Sequence, residues 1–148
     1  MVFHQAAIGP EAGDATIHVS AADDSSSLLP ISAIQERLYP GTGEVGTETI
    51  KVGRLSDFVS AEEIESPALL KLDVQGFELE ALRGCEDLLD RFAYVYAECS
   101  FVELYSGQAL AHDVIEWLRE RGFRLIGVYH MSYDRNGRAV QGDFLFCR

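Results

Sequence analysis

The stretch Leu69-Leu70-Lys71-Leu72-Asp73-Val74-Gln75-Gly76-Phe77-Glu78-Leu79-Glu80-Ala81-Leu82-Arg83-Gly84-Cys85 decides how this chain is read. A short apolar run ends in Asp73, as a buried parallel strand does when it delivers a carboxylate to its carboxyl end. Gly76 permits a sharp turn. Beyond it Leu79, Leu82, Cys85 and Leu89 recur at helical spacing. Strand, acidic tip, glycine turn and helix make half of a βαβ unit, and in open α/β sheets ligands bind just outside such carboxyl ends. A site is therefore expected near Asp73.

Working outward, residues 93–98 read as a second buried strand, ending in Glu98. With residues 77–90 helical between them, Asp73 and Glu98 are expected to end adjacent parallel strands, about 4.8 Å apart. Upstream, strands are expected over residues 2–8 and 13–19, then a serine-rich loop over 23–29. Ile31, Ile34 and Leu38 have helical spacing that ends before Pro40. A strand near residues 48–52 and a short helical turn around 56–59 follow. Downstream, residues 111–121 predict a helix with Val114, Ile115 and Leu118 inward and Gly122 as its stop. Residues 123–133 and 138–147 flank Asp134-Arg135-Asn136-Gly137, and the Asn-Gly pair predicts a hairpin with a type I′ turn.

Gly41-Thr42-Gly43-Glu44-Val45-Gly46 spells a dinucleotide-binding G-x-G-x-x-G. That motif requires a strand before it and a helix after it. Here Arg37-Leu38-Tyr39-Pro40 precedes it and a β-prone segment follows, so it reads as a loop.

Composition sets the bounds. The 148 residues suffice for one domain with its own core. Hydrophobic residues make up 47% and mean hydropathy is close to zero, as in soluble globular proteins. No signal-peptide pattern and no membrane-spanning run is present. Three scattered cysteines without an export signal favour reduced thiols, hence a cytoplasmic location; Cys85 and Cys99 read as small core residues. The four histidines have no metal-ligand spacing, so no metal is expected. A net charge of −12 argues against nucleic acid as a partner and fits a solvated acidic surface.

The motif around Asp73 resembles that of the FkbM-type S-adenosylmethionine-dependent methyltransferases, matching at Lys71, Asp73, Val74, Gly76, Glu78, Leu82 and Gly84. Gln75 departs from it, standing where a glutamate is usual. Ser25-Ser26-Ser27-Leu28 and Ile50-Lys51-Val52-Gly53-Arg54-Leu55-Ser56-Asp57 resemble elements before the motif. Glu98, Phe101, Leu104, Tyr105, Gly107 and Gln108 resemble the pattern after it. The resemblance implies an α/β, Rossmann-like class I methyltransferase sheet, mostly parallel with a C-terminal antiparallel hairpin. It also implies an N-terminal strand, glycine loop and helix that cradle S-adenosylmethionine, and an acidic strand end for its ribose. The chain begins in a segment similar to the strand after both, so the N-terminal cofactor-binding strands are expected to be missing. By itself the chain is then expected to bind S-adenosylmethionine weakly or not at all. Its uncovered sheet edge would favour self-association or a complementing chain.

The implied activity is methyl transfer to oxygen, on a sugar or secondary-metabolite hydroxyl, with a small-molecule acceptor as partner. Asp73 and Glu98 are the candidate catalytic residues, since two close carboxylates repel and the pKa of one rises towards a useful range. Asp73 could instead cap the turn at Gly76–Phe77, and Glu98 could pair with Arg124. Candidate acceptor-binding residues are Glu78, Tyr105, His112 and Ser26. Against them stand a helix-dipole role for Glu78, packing for Tyr105, plain exposure for His112 and a linker role for Ser26. A non-catalytic truncated homologue that binds a small ligand or partner chain is the alternative, and a purely structural fragment is a third reading.

Overall fold

Each face of the strand at residues 92–100 is set by alternation: Val95, Ala97 and Cys99 are buried on one side, while Tyr94, Tyr96 and Glu98 are on the other. The computed structural model describes residues 1–148, the Asp23 side chain excepted. Its elements run β1 (Ala7–Ile8), β2 (Gly13–Ser20), α1 (Ala33–Leu38), β3 (Glu44–Gly53), β4 (Ala68–Leu72), α2 (Glu78–Gly84), β5 (Phe92–Ser100), α3 (Ala111–Glu120), β6 (Arg124–Tyr133) and β7 (Ala139–Cys147). Short 3-10 turns lie at Asp23–Ser25, Leu55–Asp57, Ala61–Glu63 and Glu86–Arg91.

The strands form two mixed sheets, β1-β3-β2 and β4-β5-β7-β6. In the larger, β4 and β5 are parallel with Leu72 opposite Ala97, which puts Asp73 and Glu98 at neighbouring carboxyl ends as the two apolar runs predict. Strand β7 then enters antiparallel between β5 and β6. The expected mostly parallel sheet is therefore corrected: only the β4–β5 pair of this sheet is parallel. Helices α2 and α3 cover one face, where Leu82, Leu89, Val114, Leu118, Phe123, Phe144 and Phe146 make the main core. Burial of each large apolar side chain there contributes about 1.5–3 kcal/mol. The opposite face leaves Leu69 and Tyr94 exposed.

Two of the contacts that dock the smaller sheet are to backbone carbonyls. A Cβ built on Gly84 would lie 2.5 Å from the Gly9 carbonyl oxygen, so only glycine allows α2 this close to the backbone after β1. Arg54, after β3, donates from Nη1 to the Pro10 carbonyl at 3.0 Å and pairs with Asp87 at 3.4 Å.

Several boundaries differ from expectation. The first strand forms only at Ala7–Ile8, because β3 offers it partners only at Val52 and Gly53. The helix predicted over residues 77–90 ends at Gly84 and continues as the 3-10 turn Glu86–Arg91. The glycine segment is a loop as far as Gly43, after which β3 begins. In the hairpin, Gly137 has φ +76° but Asn136 does not take a positive φ, so the turn is not type I′. Asp134 Oδ1 accepts the amides of Asn136 and Arg138 and holds a turn closed by a single left-handed glycine. Among the described residues, no helix is long and apolar enough to cross a membrane.

Candidate active site

A cavity of about 370 Å³ opens at the carboxyl ends of β4 and β5. One wall comes from the ends of the larger sheet: Asp73, Gln75, Glu98 and, on β7, Gln141. The other comes from the segment after β2, from α1 and from the loop that follows it: Asp24, Ser25, Gln35, Tyr39 and Thr42. All nine are polar. Helix α1 is placed by Ser32, whose Oγ accepts the Ile34 and Gln35 amides as an N-cap. Ile34 and Leu38 pack into a small second core with Leu104, Tyr105 and Val140.

The two carboxylates differ in surroundings. The Asp73 side chain is half exposed; its Oδ1 accepts from Gln75 Nε2 at 2.9 Å and its Oδ2 from Lys71 Nζ at 3.1 Å. Glu98 is more enclosed and its Oε1 accepts from Gln141 Nε2 at 2.9 Å. Burial first, and then the negative charges of Asp73 and Glu78, push the Glu98 pKa up to about 7. A carboxylate so tuned both gives and takes a proton near neutral pH.

Neither competing role for this pair is realised. The amides of Val74 and Gly76 are held by Glu78 Oε1, at 3.3 and 3.2 Å, so the turn is capped without Asp73. Arg124 reaches Cys147 Sγ, and the partner of Glu98 is Gln141.

The remaining predicted residues fall in different places. Glu78 is 3% exposed beneath the turn and does not line the cavity; burial pushes its pKa up to about 7. Tyr105 is buried under the site, its hydroxyl 2.8 Å from Gln75 Oε1, which links it through Gln75 to Asp73. Ser26 Oγ accepts the Ser20 amide, and Ser26 lines a neighbouring cavity; its neighbour Ser25 faces the site. His112 is exposed on α3, beside Asp113, and does not line the cavity. Burial also raises the thiol pKa values of Cys85 and Cys99, as fits their place in the core.

Asp24, Gln35, Gln75, Tyr39, Thr42 and Gln141 were not anticipated as lining residues. Alternation along β7 could have found Gln141, because Val140, Gly142, Phe144 and Phe146 alternate as buried residues and leave Gln141 on the side of Glu98. For Gln35 no signal exists, since its helix was recognisable only by its apolar positions.

The neighbouring cavity, also about 370 Å³, lies between the two sheets and is walled by Ile8, Ile17, Ile50, Leu70 and Phe77, with Asp73 on its rim. A purine could find apolar surface here. Backbone amides for a cofactor's polar end are another matter, because the Val74 and Gly76 amides of the turn are already taken by Glu78.

Residues 1–125 match the family model described as the methyltransferase FkbM domain. Two similar curated proteins are the 2-O-methyltransferase NoeI of Sinorhizobium fredii and the hexuronic acid methyltransferase AglP of Haloferax volcanii. The first is 31% identical over 100 residues, covering 68% of this chain and 37% of that protein. The second is 35% identical over 82 residues, covering 53% and 32%. The chain thus spans about a third of the length of these relatives. No solved structure matches it.

Proposed function

This chain belongs to the FkbM methyltransferase family, and we propose that its polar cavity is the acceptor site of an S-adenosylmethionine-dependent sugar O-methyltransferase built on a Rossmann-like sheet. One observation carries the reading: Asp73 and Glu98 stand at adjacent strand ends in an all-polar cavity, with the Glu98 pKa pushed up to about 7. An acceptor hydroxyl placed between them loses its proton to a carboxylate as its oxygen becomes a nucleophile. The polar walls orient the acceptor, and orientation is the larger part of what a protein contributes to such a displacement. The names of the two relatives support oxygen as the methylated atom, from the 2-O-methyltransferase, and a sugar as acceptor, from the hexuronic acid methyltransferase.

A second reading, a ligand-binding module without catalysis, is favoured by the occupied amides of the Gly76 turn. Incubating the complete protein with methyl-labelled S-adenosylmethionine and a panel of sugars separates the two. The enzyme reading predicts label on a sugar oxygen, located by NMR of the product. Sugar that binds without acquiring label supports the module, label on nitrogen only contradicts O-methylation, and label only on a carboxylate, as a methyl ester, contradicts a hydroxyl acceptor.

A further inference from the structure

The cavity holds one group that the fold does not employ. Gln35 lines it from α1 and is 4% exposed, yet its Oε1 is enclosed and has no hydrogen-bond partner. An enclosed carbonyl oxygen without a donor is destabilising, and a donor from a bound molecule removes that cost. The last torsion of a glutamine side chain is broad, so rotation about it can offer the oxygen to the cavity that Gln35 lines. Its neighbours share the bias: Asp24, Asp73 and Glu98 bring carboxylates, and no Lys, Arg or His is among the lining residues. Lys71, bonded to Asp73, is more than half exposed and lines the neighbouring cavity instead.

We propose that this cavity selects a sugar that donates hydrogen bonds and carries no negative charge, with Gln35 Oε1 accepting one of its hydroxyl or ammonium protons. Uronates and sugar phosphates are disfavoured, because an anion would meet the acidic side chains of Asp24, Asp73 and Glu98, with Lys71 on Asp73 as the nearby cation. The inference rests on the sugar-acceptor reading and narrows it. The relative named for a hexuronic acid is on this argument a guide to the sugar ring of the acceptor but not to its charge.

NMR titration of the isotope-labelled chain at neutral pH with methyl glucoside, glucosamine and glucuronate tests it. Methyl glucoside and glucosamine should shift the resonances of Gln35, Gln75 and Gln141, with glucuronate about tenfold weaker or worse. Gln35→Met, similar in shape but without the acceptor oxygen, should weaken the neutral sugar about tenfold. Its melting temperature should be unchanged or higher, because an unmet oxygen has been removed; a merely structural glutamine would give a lower one. Unchanged sugar binding by Gln35→Met overturns the assignment of Gln35. Glucuronate binding as tightly as methyl glucoside to the unaltered chain overturns the charge selection alone, whereas failure of all three sugars overturns the sugar-acceptor reading with it.

Discussion

Glu78 holds the Gly76 turn from below, and its carboxyl is as strongly perturbed as that of Glu98 in the cavity. Burial raises both, Glu78 from 4.5 to about 7 and Glu98 likewise. The folded chain therefore binds these protons more tightly than the unfolded one. Stability from this source is fully present below about pH 4.5 and is lost as pH rises through about 7. Melting temperature should fall across that window, and Glu78→Gln, which keeps an acceptor for the two amides, should flatten the fall. Thermal melts at several pH values check this; a variant whose gain over wild type is the same at both ends of the window contradicts it. At this scale the legible residues were those with a pattern around them. Asp73 and Glu98 end apolar runs, so their positions could be read. Gln35 is a polar residue beside an apolar stripe, and only the packing of α1 against the small core turns it towards the cavity.

At the scale of elements, two glycines separate steric from conformational demand. Gly84 packs against the Gly9 backbone, and an added methyl there can be admitted only by moving α2 away from β1. Gly84→Ala should destabilise by about 1–3 kcal/mol, as overpacking does. Gly137 has open space around it but a φ of +76°. Gly137→Ala should cost about 1 kcal/mol, through backbone strain in the hairpin alone. Urea denaturation measures both, and a Gly137→Ala loss larger than that of Gly84→Ala contradicts the docking account. The βα unit, the parallel β4–β5 pair and the final hairpin were legible because local periodicity and turn residues specify them. The insertion of β7 between β5 and β6, the 3-10 ending after Gly84 and the glycine-closed turn at Asp134 were not. Each depends on long-range pairing or on a side-chain hydrogen bond that no local pattern encodes.

For the whole molecule, the two cavities meet at Asp73. At the apolar one the Val74 and Gly76 amides of the turn are taken by Glu78, so calorimetric titration of the 148-residue chain with S-adenosylmethionine should show weak binding or none; micromolar binding at one site per chain contradicts this. The polar cavity is the centre of the account, and a role for Asp73 in chemistry differs measurably from a role in folding. Its side chain is half exposed and takes no part in capping the turn, so little stability should depend on its charge. The most direct test is the rate of methyl transfer by the complete protein bearing Asp73→Asn, with melting temperature measured on the same preparation. The account predicts a rate lower by about a hundredfold or more, the usual size of a lost general base, at a nearly unchanged melting temperature. Equal rates for Asp73→Asn and wild type, or a loss of rate matched by a loss of folded protein, would contradict it.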